Sequence, residues 1–379
     1  MRLALHNGSI LTPTGWVEDR VLLIDDERIE ALVVEDDPRC AQAELIDLRR
    51  QRLLPGFIDI QVNGGGGALF NDEPSVDTIR RIGAAHRRFG TTGFLPTLIS
   101  DDRETIQRAV DAVSAAIAAG VPGVLGVHIE GPCLNRQRKG THDAAKFRDL
   151  DDQDIAVLGS LRGGCILLTL APEMTRVSTI ARLRETGVIV SAGHSNASYA
   201  DMRRALDHGV SAVTHLFNAM SPLTSREPGV VGAALDDPTC WCSIIVDGVH
   251  VDPVVLRIAL AARQQQRFIL ISDAMPNVGS DQPYFLLQGR RIEQTNGRLL
   301  DPDGVLSGSS LDMASAVRNA HRWLDLPLQQ AVHMASAAPA EFLGLSESTG
   351  SIRPGLRADL VLVDQQVQVL RTWIGGREG

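Results

Sequence analysis

Aromatic residues are scarce in this chain: nine Phe, four Trp and two Tyr make up 4% of 379 residues. A nucleic-acid-stacking or lectin-like surface, which needs exposed rings, is a poor fit. Lysine and arginine (37) are outnumbered by aspartate and glutamate (46), giving a net charge of −9, and no basic tail or stripe is present. Nucleic acid and anionic membrane, which both require clustered positive charge, are therefore excluded as partners. The five cysteines (Cys40, Cys133, Cys165, Cys240 and Cys242) are scattered and form no CxxC pair. That usage is read as a reducing compartment. The apolar run Leu3–Leu5 is too short for a signal peptide, and no stretch approaches the ~20 apolar residues of a membrane span. A soluble, cytoplasmic protein is the expectation.

What is present is an ordinary globular balance, 44% hydrophobic and 22% charged. Both ends read as short strands: Leu3–Leu11, Arg20–Ile24 and Arg28–Val34 at the start, then Ala358–Asp364 and Gln365–Ile374. Neither end buries a core alone, so one small β-sandwich built from residues 1–53 and 350–379 is expected. Between them, over 54–349, apolar runs alternate with amphipathic stretches of helical period, the pattern of a parallel sheet with crossover helices. Eight strands are predicted: Phe57–Asn63, Gly93–Ile99, Val124–Glu130, Cys165–Ala171, Val188–His194, Ala212–Asn218, Cys242–Val249 and Phe268–Asp273. Helices are predicted at Val76–Phe89, Thr105–Ala119, Thr179–Glu185, Tyr199–His208 and Pro253–Gln265. Eight strand–helix units favour a closed (β/α)₈ barrel of the α/β class, with an open doubly wound sheet as the alternative. The stretch Gln282–Ser307, with a hairpin-like Arg291–Arg298, is expected to lean over one barrel end.

The chemistry lies at the C-terminal edges of those strands. The first ends in Asp59, Gln61 and Asn63, and the third in His128 and Glu130. The fifth ends in His194, the sixth in His215, the seventh in Asp247 with His250 beyond, and the eighth in Asp273. In a barrel such edges converge on one mouth. A single histidine there is more often a structural, hydrogen-bonded residue. Two on adjacent strands, with Glu130 across the mouth, fit a catalytic metal set that leaves a position open. Asp273 reads either as a turn-capping aspartate or as a general base that moves a proton at that open position. His128, one period-2 step from Glu130, is read as structural, and His86, His208, His321 and His333 are given no role. Asn63-Gly-Gly-Gly-Gly67 lacks the spacing of a phosphate cradle; flexible backbone beside a crowded site is the reading adopted. Leu306-Ser-Gly-Ser-Ser310 is the better candidate for backbone contacts to a ligand, and the loop residue Arg226 is placed to reach an anion.

Several stretches carry a resemblance. Pro55–Gly64, His128-Ile-Glu-Gly-Pro132, Lys139-Gly-Thr-His142, Gly193-His-Ser195, Thr214-His-Leu-Phe-Asn-Ala-Met220, Asp247-Gly-Val-His250 and Ser272-Asp-Ala274 occur in order. Over essentially its whole length the chain resembles the N-acetylglucosamine-6-phosphate deacetylase family of the amidohydrolase superfamily. The resemblance implies a barrel beside a β-sandwich, one divalent metal on Glu130, His194 and His215, and an acid/base role for Asp273. It implies that His142 polarises the acetamide carbonyl, and that Thr141, Asn218, Ala219, His250 and the segment Leu306, Ser307, Gly308 hold a sugar phosphate. A homodimer is implied too, with Arg226 reaching the neighbouring subunit's site. Zinc is the first choice of metal, and Fe²⁺, Mn²⁺ and Co²⁺ accept the same donors.

There are departures from the pattern. Gln61 and Asn63 stand where many superfamily members carry the HxH pair of a second metal, so a single ion is expected. The fourth strand has no lysine for a carbamate bridge. Cys133 is read as a small buried packing residue rather than a stray thiolate ligand. The rival readings are another amidohydrolase, acting on a cyclic amide or a different N-acetyl sugar, and a non-catalytic sugar-phosphate-binding relative.

Overall fold

The computed structural model describes residues 2–263 and 267–379. Eight parallel strands form one sheet in sequence order: β1 (Phe57–Val62), β2 (Thr91–Ile99), β3 (Gly126–Glu130), β4 (Cys165–Leu170), β5 (Ile189–Ala192), β6 (Val210–Val213), β7 (Trp241–Ile244) and β8 (Phe268–Leu270). Their buried Ile, Leu and Val side chains, covered on both faces, read as near-continuous apolar runs, as parallel strands do. The helices α1 (Val76–Arg87), α2 (Arg103–Ala118), α3 (Asp152–Leu158), α4 (Val177–Glu185), α5 (Tyr199–Asp207), α6 (Gly229–Asp236), α7 (Pro253–Ala262) and α8 (Met313–Trp323) surround them.

Helix starts follow local chemistry. Ser75 Oγ accepts from Thr78 N at 3.2 Å at the head of α1. Ser198 and Asp201 form a capping box on α5, as do Asp151 and Asp154 on α3. In α2 the buried face is Ile106, Ala109, Val110, Val113 and Ala116, a helical stripe packed on the sheet. The predicted end of the α7 helix at Gln265 lies outside the described residues.

The barrel closes between β1 and β8, and the closure is mostly made by residues beyond the short β8. Asp273 N donates to Gln61 O at 3.0 Å, Asn63 N donates to Ala274 O at 2.9 Å, and Val62 bridges Ala274 in parallel. Asp59 strengthens this seam. Its Oδ1 accepts from Gln61 N and Ser272 N, both at 3.2 Å, and the residue is fully buried.

The two ends of the chain combine as expected from sequence. A four-stranded sheet orders Arg28–Val33, Val21–Asp25, Arg2–His6 and Glu44–Asp47. In the second sheet the C-terminal strand Leu360–Val363 inserts between Arg52–Pro55 and Val369–Ile374. Leu5, Ile24, Leu53, Leu360 and Trp373 fill the space between the two sheets. The fold is thus a (β/α)₈ barrel with a small β-sandwich made from both termini.

The insertion after β8 is a three-stranded antiparallel flap, Tyr284–Leu287, Arg290–Thr295 and Arg298–Leu300. Two-residue turns, Gln288-Gly289 and Asn296-Gly297, connect its strands with positive φ at each turn residue, the geometry of primed hairpin turns. Gln288 Nε2 donates to Ser100 O at 3.2 Å, and Ser307 Oγ donates to Thr141 Oγ1 at 3.0 Å. These contacts hold the flap over the C-terminal mouth.

Burial pushes the Asp59 carboxyl up to about 7, against ~3.9 in an unfolded chain. The folded protein therefore keeps a proton that the unfolded chain loses, and the associated stability is full below about pH 4 and is lost as pH rises through about 7. Asp59→Asn should abolish this loss. Unfolding free energies from urea titration should drop further between pH 5 and pH 8 for the parent than for the variant, by of order 1–4 kcal/mol; equal drops would remove Asp59 as the cause.

Candidate metal centre and its cavity

Several predicted strands stop short of their site residues. β5 ends at Ala192 rather than His194, β6 at Val213 rather than Asn218, β7 at Ile244 rather than Val249, and β8 at Leu270 rather than Asp273. For three of the four the backbone gives the reason. His194, His215 and Asp273 have φ of 47°, 37° and 52°, and Phe217 and Ala219 are also left-handed. Such torsions break a ladder and are costly for non-glycine residues, and they cluster where function requires a side chain to be re-aimed.

The re-aimed groups meet. His194 Nε2 lies 3.1 Å and His215 Nε2 3.0 Å from Glu130 Oε1, and the two Nε2 atoms are 3.2 Å apart. All three residues are buried. His194 Nδ1 lies 2.8 Å from Arg138 O, a carbonyl that can only accept. The ring proton is therefore on Nδ1 and the Nε2 lone pair faces the cluster. The His194 lone pair thus faces the Glu130 carboxylate, an arrangement that is repulsive unless positive charge lies between them. Two donors each ~2.05 Å from one tetrahedral ion stand ~3.3 Å apart, close to the spacing found. Among the described residues this is the one group of three or more such donors. The donor set fits a divalent ion.

Burial alone would disfavour a charged Glu130, but its contacts with His194 and His215 hold the carboxyl well below its ordinary range. Gln61 and Asn63 act as amide donors. Gln61 Nε2 lies 3.3 Å from Glu130 Oε1 and 3.2 Å from Asp273 Oδ1, while Asn63 Nδ2 lies 2.7 Å from Asp273 Oδ1. Burial, reinforced by the charge of Glu130, pushes Asp273 up to about 6. That value belongs to the metal-free protein; a cation on the neighbouring donors would favour the carboxylate, the form that accepts a proton from water.

His142 approaches from the loop after β3, its Nε2 3.8 Å from Glu130 Oε2. The backbone N–H of Ser100, which can only donate, lies 3.4 Å from His142 Nδ1, so the ring proton is assigned to Nε2. Burial first, then the neighbouring His194, depresses this imidazole to about 3, so it is a neutral N–H donor. His250 Nδ1 lies 2.7 Å from Asp247 Oδ2, which orients its ring.

One cavity of about 490 Å³ is lined by Glu130, Thr141, His142, His194, His215, Asn218, Ala219, His250, Asp273, Leu306 and Gly308, so these predicted residues come together. Two do not join them. Ser307 is fully buried and turned to Thr141, and Arg226 is exposed on its loop and absent from the cavity wall. Sequence reasoning overlooked Asn71, Gln137 and Arg138, and the apolar residues Leu69, Ile99, Met275 and Leu287. Arg138 had a legible signal, since it sits in the basic run Arg136-Gln-Arg-Lys139.

The remaining candidates are structural. His128 lies 2.8 Å from Thr169 Oγ1 inside the barrel, and burial depresses it to about 4. Cys133 Sγ contacts Thr175 Oγ1 at 3.1 Å, and burial pushes its thiol up to about 11. It is a packing residue, not a ligand. In the glycine run both space and conformation matter: a Cβ on Gly65 would lie 2.8 Å from the His86 ring, which itself bonds Gly64 O at 2.9 Å, while Gly66 and Gly67 take φ of 59° and 80°.

Residues 52–379 match the amidohydrolase family. An N-acetylgalactosamine-6-phosphate deacetylase of Shewanella sp. (strain ANA-3) is 45% identical over 86% of this chain and 82% of its own length. An N-acetylglucosamine-6-phosphate deacetylase of Haemophilus influenzae is 33% identical over 100% of this chain and 99% of its own. The crystal structure of N-acetylglucosamine-6-phosphate deacetylase from Pasteurella multocida superposes with a TM-score of 0.96 at 33% identity, covering both chains fully.

Removing either imidazole should abolish metal retention. His194→Ala and His215→Ala, dialysed and analysed for metal, should hold at least tenfold less divalent ion than the parent. Full retention in both would contradict the assignment.

Proposed function

The chain belongs to the amidohydrolase family, and from that premise we propose that it hydrolyses the N-acetyl group of N-acetyl-D-glucosamine 6-phosphate, giving D-glucosamine 6-phosphate and acetate in amino-sugar catabolism. The observation that carries this reading is the convergence of Glu130, His194 and His215 beside Asp273 and His142 in a single cavity. The named deacetylases that match nearly the whole chain support the substrate class. The identity of the 45% Shewanella relative favours a second reading, in which the preferred sugar is the galactosamine epimer. The two differ only at the sugar C4 hydroxyl.

Glu130, His194 and His215 hold one divalent ion, zinc in this proposal. Such an ion supplies Lewis acidity toward a carbonyl oxygen and a lowered pKa for water. The rest is done by the chain's own groups. His142 Nε2–H donates to the amide oxygen as negative charge develops there, which stabilises the tetrahedral state. Asp273 Oδ atoms take a proton from the attacking water and deliver it to the amide nitrogen, which leaves as an amine. Asn63 and Gln61 hold Asp273 for both transfers. Thr141, Asn218, Ala219, His250 and the backbone at Leu306–Gly308 position the sugar phosphate. Ser307 serves indirectly, by fixing Thr141.

The cavity of one chain has Arg138 as its only lysine or arginine among the described residues. A second cation would strengthen phosphate binding there, and this favours a homodimer in which Arg226 enters from the second copy. The catalytic part is residues 54–349, with residues 1–53 and 350–379 as the supporting sandwich. The place of action is the cytoplasm, as the chain's cysteine usage suggests.

Acetate release tests the reading. The protein should turn over one or both N-acetylhexosamine 6-phosphates and favour them over unphosphorylated N-acetylglucosamine by at least about 100-fold in kcat/KM. Equal turnover without phosphate would refute the sugar-phosphate assignment. Asp273→Asn should keep its metal and lose kcat by roughly 10²–10⁴; near-normal turnover would remove Asp273 from the mechanism.

A further inference from the structure

One side of the cavity is mainly apolar. Leu69, Ile99, Met275 and Leu287 line it, each no more than 5% exposed, and they form one apolar cluster with the underside of the flap. Leu69 follows β1, Ile99 ends β2 and Met275 follows β8, whereas Asn218, Ala219 and His250 follow β6 and β7. In an eight-stranded barrel β2 lies across from β6. Ile99 and the Asn218–Ala219 segment therefore face each other across the mouth, while the other sugar-phosphate contacts, Thr141 and Leu306–Gly308, lie on the flap side beside Met275.

An amide carbon has three substituents. With its oxygen directed to His142 and its nitrogen tied to the sugar, the remaining alkyl group points at the apolar wall. On the functional reading given above, we propose that this wall is the acyl pocket, and that Met275 limits the length of the acyl chain the enzyme accepts. The Met275 side chain has little room to withdraw. A Cβ on Gly308 would lie 2.5 Å from Met275 Cγ, so the thioether chain already rests against that backbone. Met275 N is fixed to Ser309 O at 3.0 Å. Ile99 is held just as firmly: Asn71 Oδ1 accepts from Ile99 N at 2.9 Å and Asn71 Nδ2 donates to Ile99 O at 3.1 Å. The next residue, Ser100, contacts His142 Nδ1, so one strand end positions both the wall and the carbonyl-polarising imidazole.

An apolar pocket discriminates one misfit methylene by roughly 10–200-fold. The test compares kcat/KM for N-acetyl and N-propionyl forms of the same hexosamine 6-phosphate in the parent, Met275→Ala and Leu69→Ala, with metal content measured for each. The parent should favour acetyl by at least about tenfold. Met275→Ala should shrink that preference about tenfold or reverse it, and Leu69→Ala provides an independent enlargement of the same wall should the first variant fold poorly. Metal-loaded variants that slow both substrates in equal proportion would overturn the proposal and leave the wall as flap packing only. A parent that releases acetate from neither hexosamine 6-phosphate overturns the functional reading itself, a result distinct from unchanged acyl preference.

Discussion

One carboxylate oxygen and two imidazole nitrogens lie within 3.0–3.2 Å of one another at the mouth of this barrel, all on buried residues. Three electron-rich atoms hold that arrangement only around positive charge. Much of the surrounding structure serves to enforce it. Left-handed backbone at His194 and His215 turns their rings inward, Arg138 O fixes the tautomer of one of them, and the Gln61 amide braces Glu130 from the far side. The strain at those residues is held in place by the closed barrel beneath them.

The same seam that closes the barrel also presents Asp273. Its N–H completes the β1–β8 contact, so the aspartate's position is set by the fold rather than by a mobile loop. Gln61 Nε2 reaches both Asp273 and Glu130. At that place a neutral amide joins two carboxylates, and Asp273 is left able to exchange a proton. His142 stays neutral through burial and keeps an N–H available, tied through Ser100 to the end of β2.

The strands and the polar residues at their ends were legible because parallel strands are continuous apolar runs, and an acid or imidazole interrupting such a run stands out. The ends themselves were misplaced. Apolar pattern persists through Leu216 and Val246, whereas the ladder stops earlier, and at the site residues the cause is backbone torsion, which side-chain pattern does not encode. The apolar wall was invisible for the opposite reason: Leu69, Ile99 and Met275 look like any core residue until the flap is folded over them. The Ser307 side chain is turned to Thr141, and Arg226 stands clear of its own chain's cavity, the placement expected of a residue that serves a second copy. The glycine run after β1 was legible as a backbone that needs glycine, in keeping with the positive φ of Gly66 and Gly67, whereas the His86 ring packed against Gly65 is a tertiary contact.

X-ray absorption on the zinc-reconstituted protein tests the central claim most directly. The account predicts a four-coordinate ion with nitrogen and oxygen donors at ~2.0–2.2 Å, two of them showing the outer-shell scattering of imidazole. A sulfur donor at ~2.3 Å, or a shell without imidazole, would contradict it.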